Sequence, residues 1–163
     1  MKRLAASNLS IVSGGVMWGG VSFACSMLVL LALKVFLPLA QWGANSGAGA
    51  LNASLGMQIM VALVWAPLFE TLLGQLLPQE VLRRFSVKPV FCIATGSVMW
   101  ALGHYLNGGI AHGLVALFAG AMFSFIYLRY RSYGVAVSYW MTTVAHLTQN
   151  ALVLVAASYF PSL

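Results

Sequence analysis

Four polar residues lie within long apolar stretches of the sequence: Glu70, His104, His146 and Asn150. A polar side chain in apolar surroundings is costly unless it has a partner or a task. Glu and His can exchange protons with a water molecule, and His and Asn can donate hydrogen bonds to a developing oxyanion. If the four residues meet, they form a polar site with a proton acceptor and hydrogen-bond donors, in which no Ser or Cys stands out as a covalent nucleophile.

The composition indicates a protein that is embedded in a membrane. Of its 163 residues, 61% are apolar and only 6% are charged, with a mean hydropathy of +0.92. A soluble domain carries about a quarter charged residues, so a soluble globule and a disordered chain are both excluded. The net charge of +6 reflects a shortage of acidic residues rather than a basic face, which excludes nucleic acid as a partner. Cys25 and Cys92 lie in apolar runs and predict no disulfide.

Five apolar stretches approach the roughly 20 residues that a helix needs to cross a bilayer. They do not alternate as barrel strands do, so we expect one all-α integral membrane domain over residues 1–163, a bundle of five transmembrane helices. The predicted spans are Leu9–Leu37, Leu55–Leu77, Pro89–Leu106, Ala111–Leu128 and Val135–Phe160. The first is an extra N-terminal span, too long for a signal peptide, beside a four-span core over residues 55–160. Its Gly15-x-x-x-Gly19 spacing predicts a close approach by another helix.

Basic and uncharged connections alternate along the chain, which sets an orientation. Because basic segments stay in the cytoplasm, the N-terminus is predicted inside and the C-terminus outside. Lys34 is an exception, and near the outer end of the first span its side chain can reach the headgroups. The basic positions at the predicted cytoplasmic ends are Lys2, Arg3, Arg83, Arg84, Lys88, Arg129 and Arg131.

The ionisable groups inside spans two, three and five share one depth. Each lies 13 to 16 residues from a basic residue at the predicted cytoplasmic end of its helix. At the rise of an α-helix this corresponds to about 20–24 Å, which is past the midplane of the bilayer. His146 and Asn150 are one helical turn apart, with Thr142 a further turn back. We therefore predict one shared polar site that opens nearer the outer leaflet, and we interpret His112, near the outer interface, as structural.

At these residues the chain resembles the CAAX-protease-and-bacteriocin-processing (CPBP) family of intramembrane proteases. That family's pattern is Glu-Glu-x-x-x-Arg on one helix, Phe-x-x-x-His on the next and His-x-x-x-Asn two helices later. The residues that match this pattern in order and spacing are Glu70, His104, His146 and Asn150. Three positions depart from it: Thr71 replaces the second Glu, Gln75 the Arg and Trp100 the Phe. The Glu and the Arg are lost together, which leaves no unpaired charge and a Thr–Gln pair that can hydrogen-bond.

The resemblance implies an endopeptidase that hydrolyses a peptide bond near the end of a membrane-associated or lipidated substrate. In this reading Glu70 is the general base, His104 orients the water, and His146 and Asn150 donate to the oxyanion. The residues that would surround these groups are Thr71, Gln75, Trp100 and Thr142. Candidate substrates are a prenylated C-terminus, a bacteriocin-type leader or a C-terminal sorting tail. The topology and the absence of a large domain favour a prokaryotic inner membrane.

Three alternatives stay open. Glu70, His104 and His146 form a His₂Glu set that could bind zinc, but no second carboxylate would then serve as general base, so a site without a cofactor is favoured. Intramembrane Glu and His residues also line proton pathways, so a small proton-coupled transporter fits, although no inverted repeat is visible. The changes at Thr71 and Gln75 also fit a catalytically inactive relative that acts as a membrane binding subunit.

Overall fold

The computed structural model describes residues 8–42 and 54–159. No β-strand occurs within these ranges, so the predicted all-α fold is confirmed. Short 3-10 turns follow the first and third helices, at Leu39–Gln41 and Arg131–Tyr133. The long helices are α1, Asn8–Phe36; α2, Leu55–Arg84; α3, Pro89–Tyr130; and α4, Val135–Tyr159.

Three helical stretches of the described chain are long and apolar enough to cross a membrane. They are α1, α2 and the stretch Pro89–Tyr133, which contains α3. This agrees with an integral membrane protein. The basic pair Lys2 and Arg3, residues 43–53 of the first connection and Phe160 at the end of the fifth predicted span lie outside the described residues.

α3 is a hairpin of two helical arms. Its backbone leaves the helical region at Gly109, where φ is 79° and ψ is −171°, a conformation that glycine tolerates because it has no Cβ. The arms 89–108 and 110–130 then pack side by side in opposite directions. The Ser97 hydroxyl donates to the Leu117 carbonyl at 2.6 Å, and Gly120 lies against Trp100. The two arms correspond to the third and fourth predicted spans.

α1 packs along α4 through small residues. A Cβ on Gly15 would lie 2.6 Å from the Cβ of Val144, and one on Gly19 would lie 2.5 Å from the carbonyl oxygen of Ala145. Glycine at both positions lets the two backbones approach this closely. The close approach predicted from the spacing of Gly15 and Gly19 is confirmed, and the partner helix is α4.

α2 contains two wide π turns, each placed just before a proline. The first, Met60–Trp65, precedes Pro67, and the second, Leu72–Leu76, precedes Pro78. A proline ring in a regular α-helix clashes with the carbonyl four residues back, and a wider turn relieves this clash. Between the two π turns lies a short α-helical piece, Ala66–Thr71, which carries the candidate base.

An apolar cluster lies where α3 and α4 meet, and an ion pair lies at the end of α2. The first half of α2 packs against α4 and its second half against α3. The buried core side chains are Trp100, Ala116, Ala119, Phe123, Ile126, Met141 and Ala145. At the end of α2, Glu80 receives two hydrogen bonds from Arg131, at 2.6 and 2.9 Å, and one from the Tyr127 hydroxyl at 2.9 Å. This ion pair ties the end of α2 to the end of α3.

Candidate active site

Two consecutive residues of α2 contact the two ring nitrogens of one histidine of α4. Oε2 of Glu70 lies 3.8 Å from Nε2 of His146, and Oγ1 of Thr71 lies 3.4 Å from its Nδ1. Thr71 is fully buried and His146 nearly so. Glu70 and Thr71 follow the first π turn and face α4 together, so this imidazole is held between a carboxylate and a hydroxyl.

Aromatic rings fix the orientation of His146. The centroid of its ring lies 5.2 Å from that of Trp100 in an edge-to-face contact, and 4.9 Å from that of Phe123. Trp100 can reach this position because a glycine faces it, since a Cβ on Gly74 would lie 2.6 Å from the indole ring. A side chain enclosed in this way has little freedom to change rotamer.

His104 is bound to its own helix, and this bond sets its tautomer. Its Nδ1 lies 2.9 Å from the carbonyl oxygen of Trp100, one turn back, and its ring stacks on the Trp100 indole at 5.6 Å. A carbonyl oxygen only accepts hydrogen bonds, so Nδ1 carries the proton and donates it. Nε2 of the neutral ring therefore has a free lone pair that can accept a proton or a hydrogen bond.

Asn150 joins α4 to α2 through a carbonyl that the first π turn releases. In a regular helix the Ala66 N–H would bond to Ala62, but here it bonds to Val61, five residues back. The freed carbonyl of Ala62 accepts a hydrogen bond from Nδ2 of Asn150 at 2.9 Å. One amide proton and the Oδ1 atom of Asn150 are left for other partners.

A cavity of about 500 Å³ lies between α1, α3 and α4. His104, His146 and Asn150 line it, and it extends from them towards Gly108 and Ala157, away from the ion pair that closes the end of α2. Glu70 is not among its lining residues. That carboxylate reaches His146 from the side of α2, and 45% of its side chain is exposed. His146 thus contacts the carboxylate and also forms part of the cavity wall.

Two of the surrounding residues take other partners than the sequence suggests. Thr142 is buried and its hydroxyl donates to the Ser138 carbonyl of its own helix at 2.8 Å. Gln75 does not pair with Thr71, because its Oε1 accepts a hydrogen bond from the Ser124 hydroxyl of α3 at 2.7 Å. Thr71 and Gln75 therefore contact different helices, α4 and α3, instead of each other. Of these two residues, only Thr71 contacts the candidate site.

Sequence reasoning missed three contributors to the site. His112 lies beside His104, with ring centroids 4.9 Å apart, and lines the cavity. Its position eight residues after His104, across the Gly109 break, could have shown that the two arms bring the rings together. Gln149 also lines the cavity, where Ser22 and Ser26 of α1 hydrogen-bond to its amide. Phe123 packs on His146 as an ordinary core aromatic, which its sequence context does not reveal.

Glu70, His104 and His146 are not gathered as a three-ligand set among the residues that the structure describes. Within the described ranges, no three His, Cys, Asp or Glu side chains are gathered so that they could hold an ion. The nearest approach of the Glu70 carboxylate to His146 is 3.8 Å.

The profile of the Rce1-like family, type II CAAX prenyl endopeptidases, matches residues 52–152. Together with the fold, this match defines a helical membrane protease of the CAAX-processing class. This range covers more than half of the chain and contains all four candidate residues, so the protein belongs to this family. The match confirms the resemblance to the CPBP family, and α1 lies outside it. No curated protein and no solved structure matches the chain.

Proposed function

We propose that the protein is an intramembrane endopeptidase that uses water activated by Glu70 to cleave a peptide bond near the end of a membrane-associated or lipidated substrate. The observation that carries this proposal is the placement of Glu70 and Thr71 against the two nitrogens of His146, at 3.8 and 3.4 Å. A buried imidazole between a carboxylate and a hydroxyl is suited to acid–base catalysis. Family membership supports a substrate that is processed next to a lipidated C-terminus.

The proposed reaction is a direct attack by water. Glu70 accepts a proton from the water, while Nε2 of His104 accepts a hydrogen bond from the same molecule and orients it. The water oxygen bonds to the carbonyl carbon, and His146 with the second amide proton of Asn150 donates to the oxyanion. When the carbon–nitrogen bond breaks, the proton held on Glu70 passes to the leaving amine, which restores the carboxylate.

The proposed membrane arrangement follows from the distribution of charge. Five helical segments cross the bilayer, namely α1, α2, the two arms of α3 and α4, with the N-terminus inside and the C-terminus outside. The cavity extends away from the basic end that holds Arg83 and Arg131, which supports an opening towards the outer leaflet. A prokaryotic inner membrane is the location that this topology favours.

The experiment that tests the proposal identifies new protein termini in cells. Cells express wild type, Glu70→Gln or Glu80→Gln, and their membrane fractions are compared by terminal-peptide mass spectrometry. Glu80→Gln is the control, because Glu80 is the second of the two acidic residues in the sequence. Cleavage products present with wild type and Glu80→Gln but absent with Glu70→Gln support the endopeptidase. Absence of cleavage by the folded wild type favours the inactive binding subunit, and proton-coupled uptake by reconstituted liposomes favours the transporter.

A further inference from the structure

We propose that Thr71 is a positioning residue that fixes His146 as the tautomer with its proton on Nε2. Nε2 of His146 is then a hydrogen-bond donor, whereas Nε2 of His104 is an acceptor. The catalytic half of this inference rests on the proposed function. The tautomer itself is a property of the folded protein and can be measured without a substrate.

The Thr71 hydroxyl needs an acceptor for its proton. Thr71 is fully buried, and a buried hydroxyl proton without a partner is costly. On α4, the hydroxyls of Thr142 and Thr148 each donate to the carbonyl four residues back. Within the described ranges, the hydrogen-bond contact of the Thr71 hydroxyl is instead the one to Nδ1 of His146, at 3.4 Å.

The direction of this bond decides the tautomer. If Thr71 donates, Nδ1 of His146 carries the lone pair and Nε2 carries the proton. If Nδ1 donated instead, the hydroxyl proton would be buried without an acceptor. The first arrangement satisfies both groups. The rings of Trp100 and Phe123 pack against the imidazole, so it does not turn over to exchange its nitrogens.

The two histidines of the site are then complementary. His104 donates a hydrogen bond from Nδ1–H to the Trp100 carbonyl and keeps a lone pair on Nε2. His146 accepts a hydrogen bond at Nδ1 and keeps an N–H on Nε2, the atom that faces Glu70 at 3.8 Å. His104 can therefore accept from the attacking water, whereas His146 can donate to a carboxylate or an oxyanion. A histidine whose tautomer is set by a neighbouring group recurs in acyl-transfer sites.

The test is ¹⁵N NMR of histidine-labelled protein in lipid nanodiscs, with the His146 signals assigned by their loss in His146→Gln. In wild type and Thr71→Ser we expect a protonated Nε2 and an unprotonated, hydrogen-bonded Nδ1. Thr71→Val keeps the shape of the side chain but lacks the hydroxyl. In this variant the Nδ1 signal should shift, either to that of an unprotonated nitrogen without a hydrogen bond or to that of a protonated nitrogen.

Thr142→Val is the control, because it removes another buried hydroxyl one helical turn from His146, and it should leave the His146 signals in place. A protonated Nδ1 in wild type, or an unchanged Nδ1 signal in Thr71→Val, overturns the inference.

A kinetic readout separates positioning from structure. With a cleaved substrate, Thr71→Val should lower kcat by about tenfold or more at nearly constant KM, and Thr71→Ser should recover most of it. An unchanged kcat in Thr71→Val overturns the catalytic half. If the tautomer behaves as expected but the folded wild type cleaves nothing, the proposed function fails while the assignment of the tautomer stands.

Discussion

Nε2 of His146 lies 3.8 Å from Oε2 of Glu70, and the two side chains differ sharply in exposure, at 4% and 45% respectively. The histidine is enclosed by Trp100 and Phe123, whereas nearly half of the Glu70 side chain is exposed. The separation is longer than a hydrogen bond, and catalytic contacts often tighten only when substrate is bound. The contact between Glu70 and His146 joins α2 to α4 and brings the candidate base to the candidate oxyanion donor.

The packing of α1 on α4 predicts a contrast between two neighbouring glycines. Gly19→Ala should lower the stability of the folded protein by about 1–3 kcal/mol, because its Cβ would lie 2.5 Å from the Ala145 carbonyl oxygen. Gly20→Ala is the control, since nothing lies within 4 Å of its Cβ, and its effect should stay within about 0.5 kcal/mol. Thermal unfolding in detergent measures both, and equal melting temperatures would contradict the described helix contact.

The ion pair at the end of α2 predicts a loss of stability when one partner is removed. Arg131→Met leaves the Glu80 carboxylate without its two-point partner, so the free energy of unfolding should fall by about 1–3 kcal/mol. Arg84→Met is the control, because this exposed side chain lies outside the pair. Thermal unfolding compares the two variants, and an Arg131→Met protein as stable as Arg84→Met would show that the pair contributes nothing.

The proposed mechanism predicts insensitivity to metal removal. Glu70, His104 and His146 are not gathered as three ligands among the described residues, so cleavage should persist after treatment with 1,10-phenanthroline or EDTA. The measurement is the rate of cleavage before and after dialysis, with a zinc protease as positive control. Loss of activity that returns on addition of Zn²⁺ would show that a bound metal, and not the Glu70 carboxylate alone, activates the water.

The charge pattern predicts which connections face outwards. Single cysteines at Asn107, beside the hairpin turn of α3, and at Ser86, between α2 and α3, report on opposite ends of the bundle. They are placed in a background in which Cys25 and Cys92 are Ala. A membrane-impermeant thiol reagent should label Asn107→Cys in intact cells and Ser86→Cys only after permeabilisation. The reverse labelling pattern would overturn the orientation and the outward opening of the cavity.

The sequence was sufficient to predict an all-helical membrane protein, but not the partners of individual side chains. The hairpin at Gly109 follows from the local Asn-Gly-Gly sequence, and the contact of Gly15 and Gly19 follows from their spacing, because both depend on local backbone geometry. The side-chain partner of Gln75 depends on which face of α3 packs against α2. The spacing of residues along α2 carries no information on that face. Ser124 is 49 residues away in the sequence.

The π turns of α2 place Glu70 closer to Arg83 along the helix axis than a regular α-helix predicts. The predicted depth uses the rise of a regular α-helix, whereas Leu72–Leu76 forms a wider turn that advances less along the axis. The same irregularity made one contact unpredictable. Asn150 bonds to the Ala62 carbonyl only because the first π turn, before Pro67, releases it. The signal that the sequence offers is Pro67, a proline inside a predicted membrane span three residues before Glu70.

The central claim is that Glu70 activates the water, and one kinetic comparison tests it most directly. Purified wild type, Glu70→Gln and Glu80→Gln are reconstituted in nanodiscs and assayed on a substrate identified by terminal-peptide analysis, with rates normalised to folded protein. Glu70→Gln should lower kcat by about 100-fold or more, because the amide cannot accept a proton, while Glu80→Gln stays close to wild type. A folded Glu70→Gln protein that cleaves at the wild-type rate would contradict the account.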